Sequence, residues 1–368
     1  MPLSSPTPLE HYLTRHDDNN FNFIRLLASL LVLLGHSFQW IGTDPLSAIT
    51  NGLLAGASLG LNTFFFLSGL LVTQSLRRSS SWKDFLVRRA LRIYPAPVMA
   101  ILIFALVAGP VLTVLPLKDY FVHPEFYKFL GGINLFRVYY TLPGVIRYHG
   151  QDLSLISSFW SISLELKLYL LLLLGWLINI RYKRPLVLLM ICLGLLFNLF
   201  FYHRTLFIFS HLLPISFNPF SYTVMGLLFL MGAACEIFRK HIYVRGYWIM
   251  ILLPLLVLSV FFKFQFIMTF MLTPVWVLYV GTHGRRWIRH ITPRADLSYG
   301  IYVYGAAAGK VVFLYLRPDN GWVDFLISLA VVLPLALLSW YGIERPALSY
   351  KKKLSALLTR RQRTITSF

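Results

Sequence analysis

The sequence predicts an all-α polytopic membrane protein, a bundle of about ten transmembrane helices with no separate soluble domain. Composition, run length and charge placement each point there. Of 368 residues, 57% are apolar and 13% charged, with a mean hydropathy of +0.66. Soluble domains average roughly 45–50% apolar and about 25% charged residues, so most of this surface has to face lipid. Apolar runs near the roughly 20 residues needed to cross a bilayer recur along almost the whole chain. The excess of 34 Lys and Arg over 14 Asp and Glu, a net charge of +20, returns at every second loop.

In order, the runs cover about 23–41, 52–76, 93–115, 154–180, 185–202, 218–237, 247–262, 265–282, 297–316 and 322–343. They divide the chain into a cytoplasmic segment 1–22, a membrane domain 23–346 and a basic cytoplasmic tail 347–368. The first segment carries Asp17 and Asp18 and has neither a basic n-region nor a small-residue cleavage site, so it does not read as a signal peptide. Between Phe201 and Asn218 the apolar pattern is broken by His203, Arg204, His211 and Pro214, as in a re-entrant or interfacial segment. The largest external loop, 116–153, holds His123, Glu125, Tyr139, Tyr140, His149 and Asp152. It reads either as a contact for a polar substrate or as a solvated connector.

With the N-terminus cytoplasmic, 24 of the 34 basic residues fall on the inner side and 7 on the outer, while Arg25, Lys167 and Lys310 lie within spans. That split predicts both termini inside. It also argues against nucleic acid, which needs basic charge gathered on one face. The two cysteines, Cys192 and Cys235, both lie in apolar stretches, where a disulfide framework is not expected.

Ionisable residues inside a span are costly and mark functional positions. Arg25 and His36 are eleven residues apart in the first run, about three turns and roughly 16 Å on one helical face. The alternative reading has Arg25 reaching the headgroups and His36 bonding a neighbouring helix. Glu165 lies four residues after Ser161 on one face, with Trp160 suited to the interface where the fourth run begins. An internal ion pair with a buried Lys or Arg would equally account for Glu165. Lys310 lies beside the small-residue stretch 305–309, with no partner identifiable from sequence. In the basic internal segment 81–95, Arg89 and Arg92 share a helical face, and arginine forks suit phosphate. Contact with anionic headgroups and a purely topogenic role are the competing accounts.

Other patterns carry less. Gly56-Ala57-Ser58-Leu59-Gly60 matches a nucleophile elbow, but that motif needs a strand-turn-helix context. Gly52, Gly56 and Gly60 read instead as a stripe for close helix packing. The chain has no P-loop, dinucleotide fingerprint or zinc-binding H-E-x-x-H, and no metal is expected.

Six stretches, in order, resemble the membrane acyltransferase 3 family, which includes O-antigen, exopolysaccharide and nodulation-factor O-acetyltransferases. These are Arg25 to His36, Phe64-Phe65-Phe66-Leu67-Ser68-Gly69-Leu70, Arg88-Arg89-Ala90-Leu91-Arg92-Ile93-Tyr94-Pro95, Trp160-Ser161-Ile162-Ser163-Leu164-Glu165, Leu297-Ser298-Tyr299-Gly300-Ile301-Tyr302 and Ile343-Glu344-Arg345-Pro346. Two departures stand out. Tyr304-Gly305 occupies the place where many relatives have a histidine, and Leu166-Lys167-Leu168 follows the motif glutamate where Glu-Gln-Phe is frequent.

The resemblance implies transfer of an acetyl group from cytosolic acetyl-CoA to a hydroxyl of a membrane-associated or extracytoplasmic glycan, in a bacterial cytoplasmic membrane. An alcohol is a weak nucleophile at neutral pH, and histidine titrates in the useful range. His36 is thus the candidate base or acyl carrier, with Glu165 orienting its ring or stabilising its cation. By resemblance, Arg89 and Arg92 hold the donor's phosphates or pantetheine arm, and Arg25 guides the donor. Trp160, Ser161, Ser68, Tyr299 and Glu344 are substrate or structural candidates. The expected partners are acetyl-CoA, a glycan or lipid-linked glycan and membrane lipids, without nucleic acid. A glycan or lipid-intermediate transporter, or an inactive relative serving in assembly, are the rival readings.

Overall fold

The computed structural model describes residues 7–15, 19–145, 147–148, 151–178, 186–196, 219–283, 295–351 and 353–354. Asp17, Asp18, His149, the interrupted stretch with His203, Arg204, His211 and Pro214, and the tail beyond 354 lie outside them. The helices that carry the argument are α1 (Phe21–Phe38), α2 (Gly56–Arg78), α3 (Trp82–Ile93), α4 (Pro95–Ile103), α5 (Phe159–Leu177), α6 (Pro219–Ile237), α7 (Tyr247–Phe262), α8 (Thr273–His283), α9 (Ser298–Leu316) and α10 (Gly321–Ser339).

Among the described residues six helices are long and apolar enough to cross a membrane: Phe21–Phe38, Gly56–Arg78, Trp82–Leu112, Phe159–Leu177, Ser298–Leu316 and Gly321–Lys351. The described residues thus account for six of the about ten spans expected. Leu186–Leu196, Ser221–Ile237 and Tyr247–Phe262 are apolar but shorter, within 10–17 residues.

Three π turns, Phe104–Ala108, Met268–Leu272 and Trp340–Glu344, interrupt the longer helical runs. Each contains the residue four positions before a proline, namely Pro110, Pro274 and Pro346. A proline cannot donate to that carbonyl and its ring crowds it, so the helix widens locally to relieve the clash.

The chain forms two compact units. The first comprises residues 1–31, 45–77 and 171–294. Here α2 and α6 approach until their backbones touch. A Cβ on Gly69 would lie 1.9 Å from the Phe229 carbonyl oxygen, and one on Gly232 would lie 2.0 Å from that of Phe66. Only hydrogen fits at either place. Trp276 on α8 donates to Thr63 Oγ1 on α2 at 3.2 Å. Glu236, 1% exposed, accepts from Arg77 at 2.8 Å and Arg239 at 3.5 Å, and Arg239 also donates to Glu10 at 3.1 Å.

The second unit comprises residues 32–44, 78–170 and 295–368. Helices α9 and α10 run antiparallel through small residues. A Cβ on Gly300 would lie 2.8 Å from Ala336 Cα, and one on Gly309 would lie 3.8 Å from Ser328 Oγ. The end of α1 runs parallel to α9. Leu33 Cδ1 would meet a Gly305 Cβ at 3.3 Å, and the Trp40 ring stacks on Phe313 with centroids 5.7 Å apart.

The stretch expected as an external loop is largely ordered. It contains short helices at Leu117–Val122 and Pro124–Gly131 and a two-residue hairpin pairing Arg147–Tyr148 with Gln151–Asp152. It folds back along α4. Tyr120 donates to the Ala105 carbonyl at 2.8 Å, a Gly132 Cβ would lie 3.9 Å from Ile101, and the Asn134 carbonyl accepts from Tyr94 at 3.1 Å. Burial pushes the Tyr120 hydroxyl up to about 12. His123, half-buried, accepts through Nδ1 from the Glu125 backbone at 3.3 Å and caps the second short helix.

Candidate active site

Two polar groups lie in the second unit, joined along one face of α9. Tyr299, Tyr302, Ala306 and Lys310 follow a three-, four-, four-residue spacing, which keeps them on one side of a helix. Between Tyr299 and Lys310 the rise is about 16 Å.

The first group is built on α3. Ser81 accepts from the Asp84 backbone at 3.2 Å and caps the helix. Asp84 is fully buried and takes Arg88 Nε at 2.7 Å. With Arg88 held this way, Arg89 and Arg92 continue along the helix, and each meets a carboxylate and a tyrosine. Arg92 Nη2 donates to Asp296 Oδ2 at 2.5 Å, and its guanidinium lies 5.7 Å from the Tyr299 ring centroid. Ser298 Oγ donates to the other oxygen of Asp296, and the Tyr299 hydroxyl donates to the Ile93 carbonyl at 2.7 Å. Arg89 stands within electrostatic reach of Glu165 and Tyr169, and the Tyr169 hydroxyl donates to the Glu165 carboxylate. Glu344, 3% exposed, faces Arg92 and accepts from Ser339 at 3.0 Å. Lys351 adds a further cation beside Arg88, Arg89 and Arg92.

At mid-height, Tyr302 is hydrogen-bonded to Ser161. Both hydroxyls lie against the Ser158 carbonyl, at 3.2 and 2.8 Å.

The second group centres on His36 and Lys310. Half-buried His36 bonds through Nδ1 to Gln39 Oε1 at 3.3 Å and lies within electrostatic reach of Lys310. Lys310 is 8% exposed and donates to the Ser154 carbonyl and to Ser157 Oγ, the latter at 2.9 Å.

Much of the expected set is therefore gathered: His36, Arg89, Arg92, Trp160, Ser161, Glu165, Tyr299 and Glu344 all belong to this unit. Arg25 and Ser68, both half-buried, belong to the first unit. The expected pairing of Glu165 with His36 is not formed. Among the described residues the partners of His36 are Gln39 and Lys310, and Glu165 sits with Tyr169 and Arg89. Three participants went unread in the sequence despite local signals. Asp296 precedes the Ser298 motif by two residues, Tyr169 follows Glu165 by one turn, and Gln39 follows His36 by three. Ser154 and Ser157, the partners of Lys310, carry no sequence signal.

The family described as an acyltransferase domain matches residues 18–341, nearly the whole chain. The chain belongs to the acyltransferase 3 family. Both polar groups fall inside the match, apart from Glu344 and Lys351. This acyltransferase is 28% identical to "Nodulation protein 10" of Rhizobium leguminosarum bv. viciae over 92% of its own length and 95% of the relative's. It is 26% identical to an "O-acetyl transferase" of Shigella phage Sf6, over 90% of its length and 96% of the relative's. No solved structure matches it. Family membership favours acyl transfer over the transporter reading. Among the described residues of this acyltransferase, no cluster of His, Cys, Asp and Glu is suited to a metal ion.

Proposed function

We propose that this acyltransferase moves an acetyl group from acetyl-CoA, delivered at the cytosolic face, to a hydroxyl of a membrane-associated or extracytoplasmic glycan. The observation that carries the proposal is the polar face of α9, which runs about 16 Å from the arginines at Tyr299 to His36 beside Lys310. An extended pantetheine arm is of that order. Its phosphates suit the arginine end, and its thioester would then reach the histidine.

In this reading Arg89 and Arg92 hold the donor's phosphates, each kept in place by its carboxylate and tyrosine. Glu165 positions Arg89 and does not touch the imidazole. His36 is the base: with Gln39 Oε1 accepting at Nδ1, the Nε2 lone pair is left to take the proton of the acceptor hydroxyl. A hydroxyl acceptor is supported by the name of one relative, an O-acetyl transferase, and a glycan as its carrier by the resemblance of the sequence motifs. Arg25 keeps the donor-guiding role implied by the family motif. The cytoplasmic-membrane location, with both termini inside, rests on the charge split.

The test uses the full-length protein in nanodiscs, labelled acetyl-CoA and an envelope-glycan extract from the source cells. Wild type is expected to label the glycan and His36→Ala to lose transfer while remaining folded. Wild-type transfer by His36→Ala removes His36 as the reacting base.

A further inference from the structure

Lys310 is a cation of the polar column that the proposed reaction has not used. Three observations bear on it. The first is its level beside α1. Leu33 opposes Gly305 and Trp40 opposes Phe313 in a parallel pair of helices, so His36 falls between these contacts, alongside the turn that ends at Lys310. The second is its charge balance. The residue is 8% exposed and its ammonium is held by a carbonyl and a hydroxyl, with no carboxylate partner among the described residues. A lone buried cation is costly in apolar surroundings, and an ammonium has three donors of which these bonds use two. The third is the company it keeps. Ser154 Oγ and Ser158 Oγ are buried with no hydrogen-bond partner among the described residues, and both belong to the segment that grips Lys310. The segment that binds Lys310 thus holds two serine hydroxyls which, like the ammonium, have hydrogen-bonding capacity to spare.

The geometry points to Lys310, with the Ser154 and Ser158 hydroxyls, as the oxyanion-stabilising group of the acyl transfer. This rests on His36 being the base. As His36 removes the proton, the acceptor oxygen bonds to the thioester carbonyl carbon. The carbonyl π pair moves onto its oxygen, and Lys310 faces that charge. Collapse re-forms the C=O bond and breaks the C–S bond, and the departing thiolate takes the proton held by His36. The acetyl group ends on the acceptor oxygen, CoA leaves as the thiol, and His36 is neutral again. Donors fixed in advance where charge develops act on kcat, because the ground-state thioester oxygen carries little charge.

The experiment compares wild type, His36→Ala, Lys310→Met and Lys310→Arg in nanodiscs, with acetyl-CoA and the same glycan extract, reading kcat and acetyl-CoA KM separately. Lys310→Met is expected to lose about 100- to 1000-fold in kcat with KM changed less than threefold, and Lys310→Arg to recover at least tenfold of that loss. If His36→Ala is inactive while Lys310→Met keeps the wild-type kcat, or changes KM alone, the oxyanion role is overturned and His36 stands. If His36→Ala transfers normally, the reaction scheme fails and the oxyanion role with it. If Lys310→Met does not fold, Ser154→Ala and Ser158→Ala decide: a drop of about tenfold in kcat for either supports the role, and wild-type kcat in both overturns it.

Discussion

Arg92 and Asp296, 204 residues apart in the chain, are joined at 2.5 Å between Nη2 and Oδ2, with each side chain less than one-fifth exposed. The pair ties the basic helix α3 to the start of α9 and holds one arginine face toward the polar column. Removing one member of a buried pair strands the other charge, at a cost of about 3–5 kcal/mol. Asp296→Ala is therefore expected to lower the unfolding temperature in detergent by several degrees and to raise the acetyl-CoA KM. The charge-reversed double variant Arg92→Asp, Asp296→Arg is expected to regain stability. Unchanged melting of Asp296→Ala would show that the pair adds nothing.

Glu165 and Tyr169 make the second such arrangement, on Arg89. Because Glu165 is not a partner of His36, Glu165→Gln is expected to raise acetyl-CoA KM about tenfold, near 1.4 kcal/mol, with kcat within threefold of wild type. A collapse of kcat at constant KM would return Glu165 to the imidazole. Steady-state kinetics separates the two.

Gly305 lies where α1 and α9 pack together. A Cβ there meets Leu33 Cδ1 at 3.3 Å. Any larger side chain must push Leu33 aside in a tightly packed helix pair, which costs about 1–3 kcal/mol. Gly305→His is expected to be destabilised by that amount in thermal unfolding and to recover most of it when combined with Leu33→Ala. Full stability of the single variant would mean that α1 and α9 have slack at this level.

The charge split predicts an orientation. A fluorescent protein fused after Phe368 is expected to fold and fluoresce, because its chromophore matures on the cytosolic side, and a periplasmic phosphatase at the same point is expected to be inactive. The opposite pattern would reverse the topology and with it the side from which acetyl-CoA arrives.

By itself the sequence determined the class of the protein. A chain with so few charges cannot cover 368 residues in water, and the order of six short motifs was enough to identify the family. It also singled out the costly residues, His36, Glu165, Lys310, Arg89 and Arg92, since an ionisable group in an apolar run is conspicuous in one dimension. Their pairings were not legible. Glu165 could be assigned to His36 only by chemical plausibility, and three-dimensional packing gave it to Arg89 and Tyr169 instead. Lys310 had no visible partner because Ser154 and Ser157 are ordinary residues until α9 brings them into place. Among the described residues six of the apolar runs form helices long enough to cross a membrane, since apolarity records where a chain tolerates lipid and length is set by where helices begin and end. Which residues meet depends on long-range packing between α1, α3, α5 and α9, and those contacts join positions too far apart along the chain for any local pattern to encode.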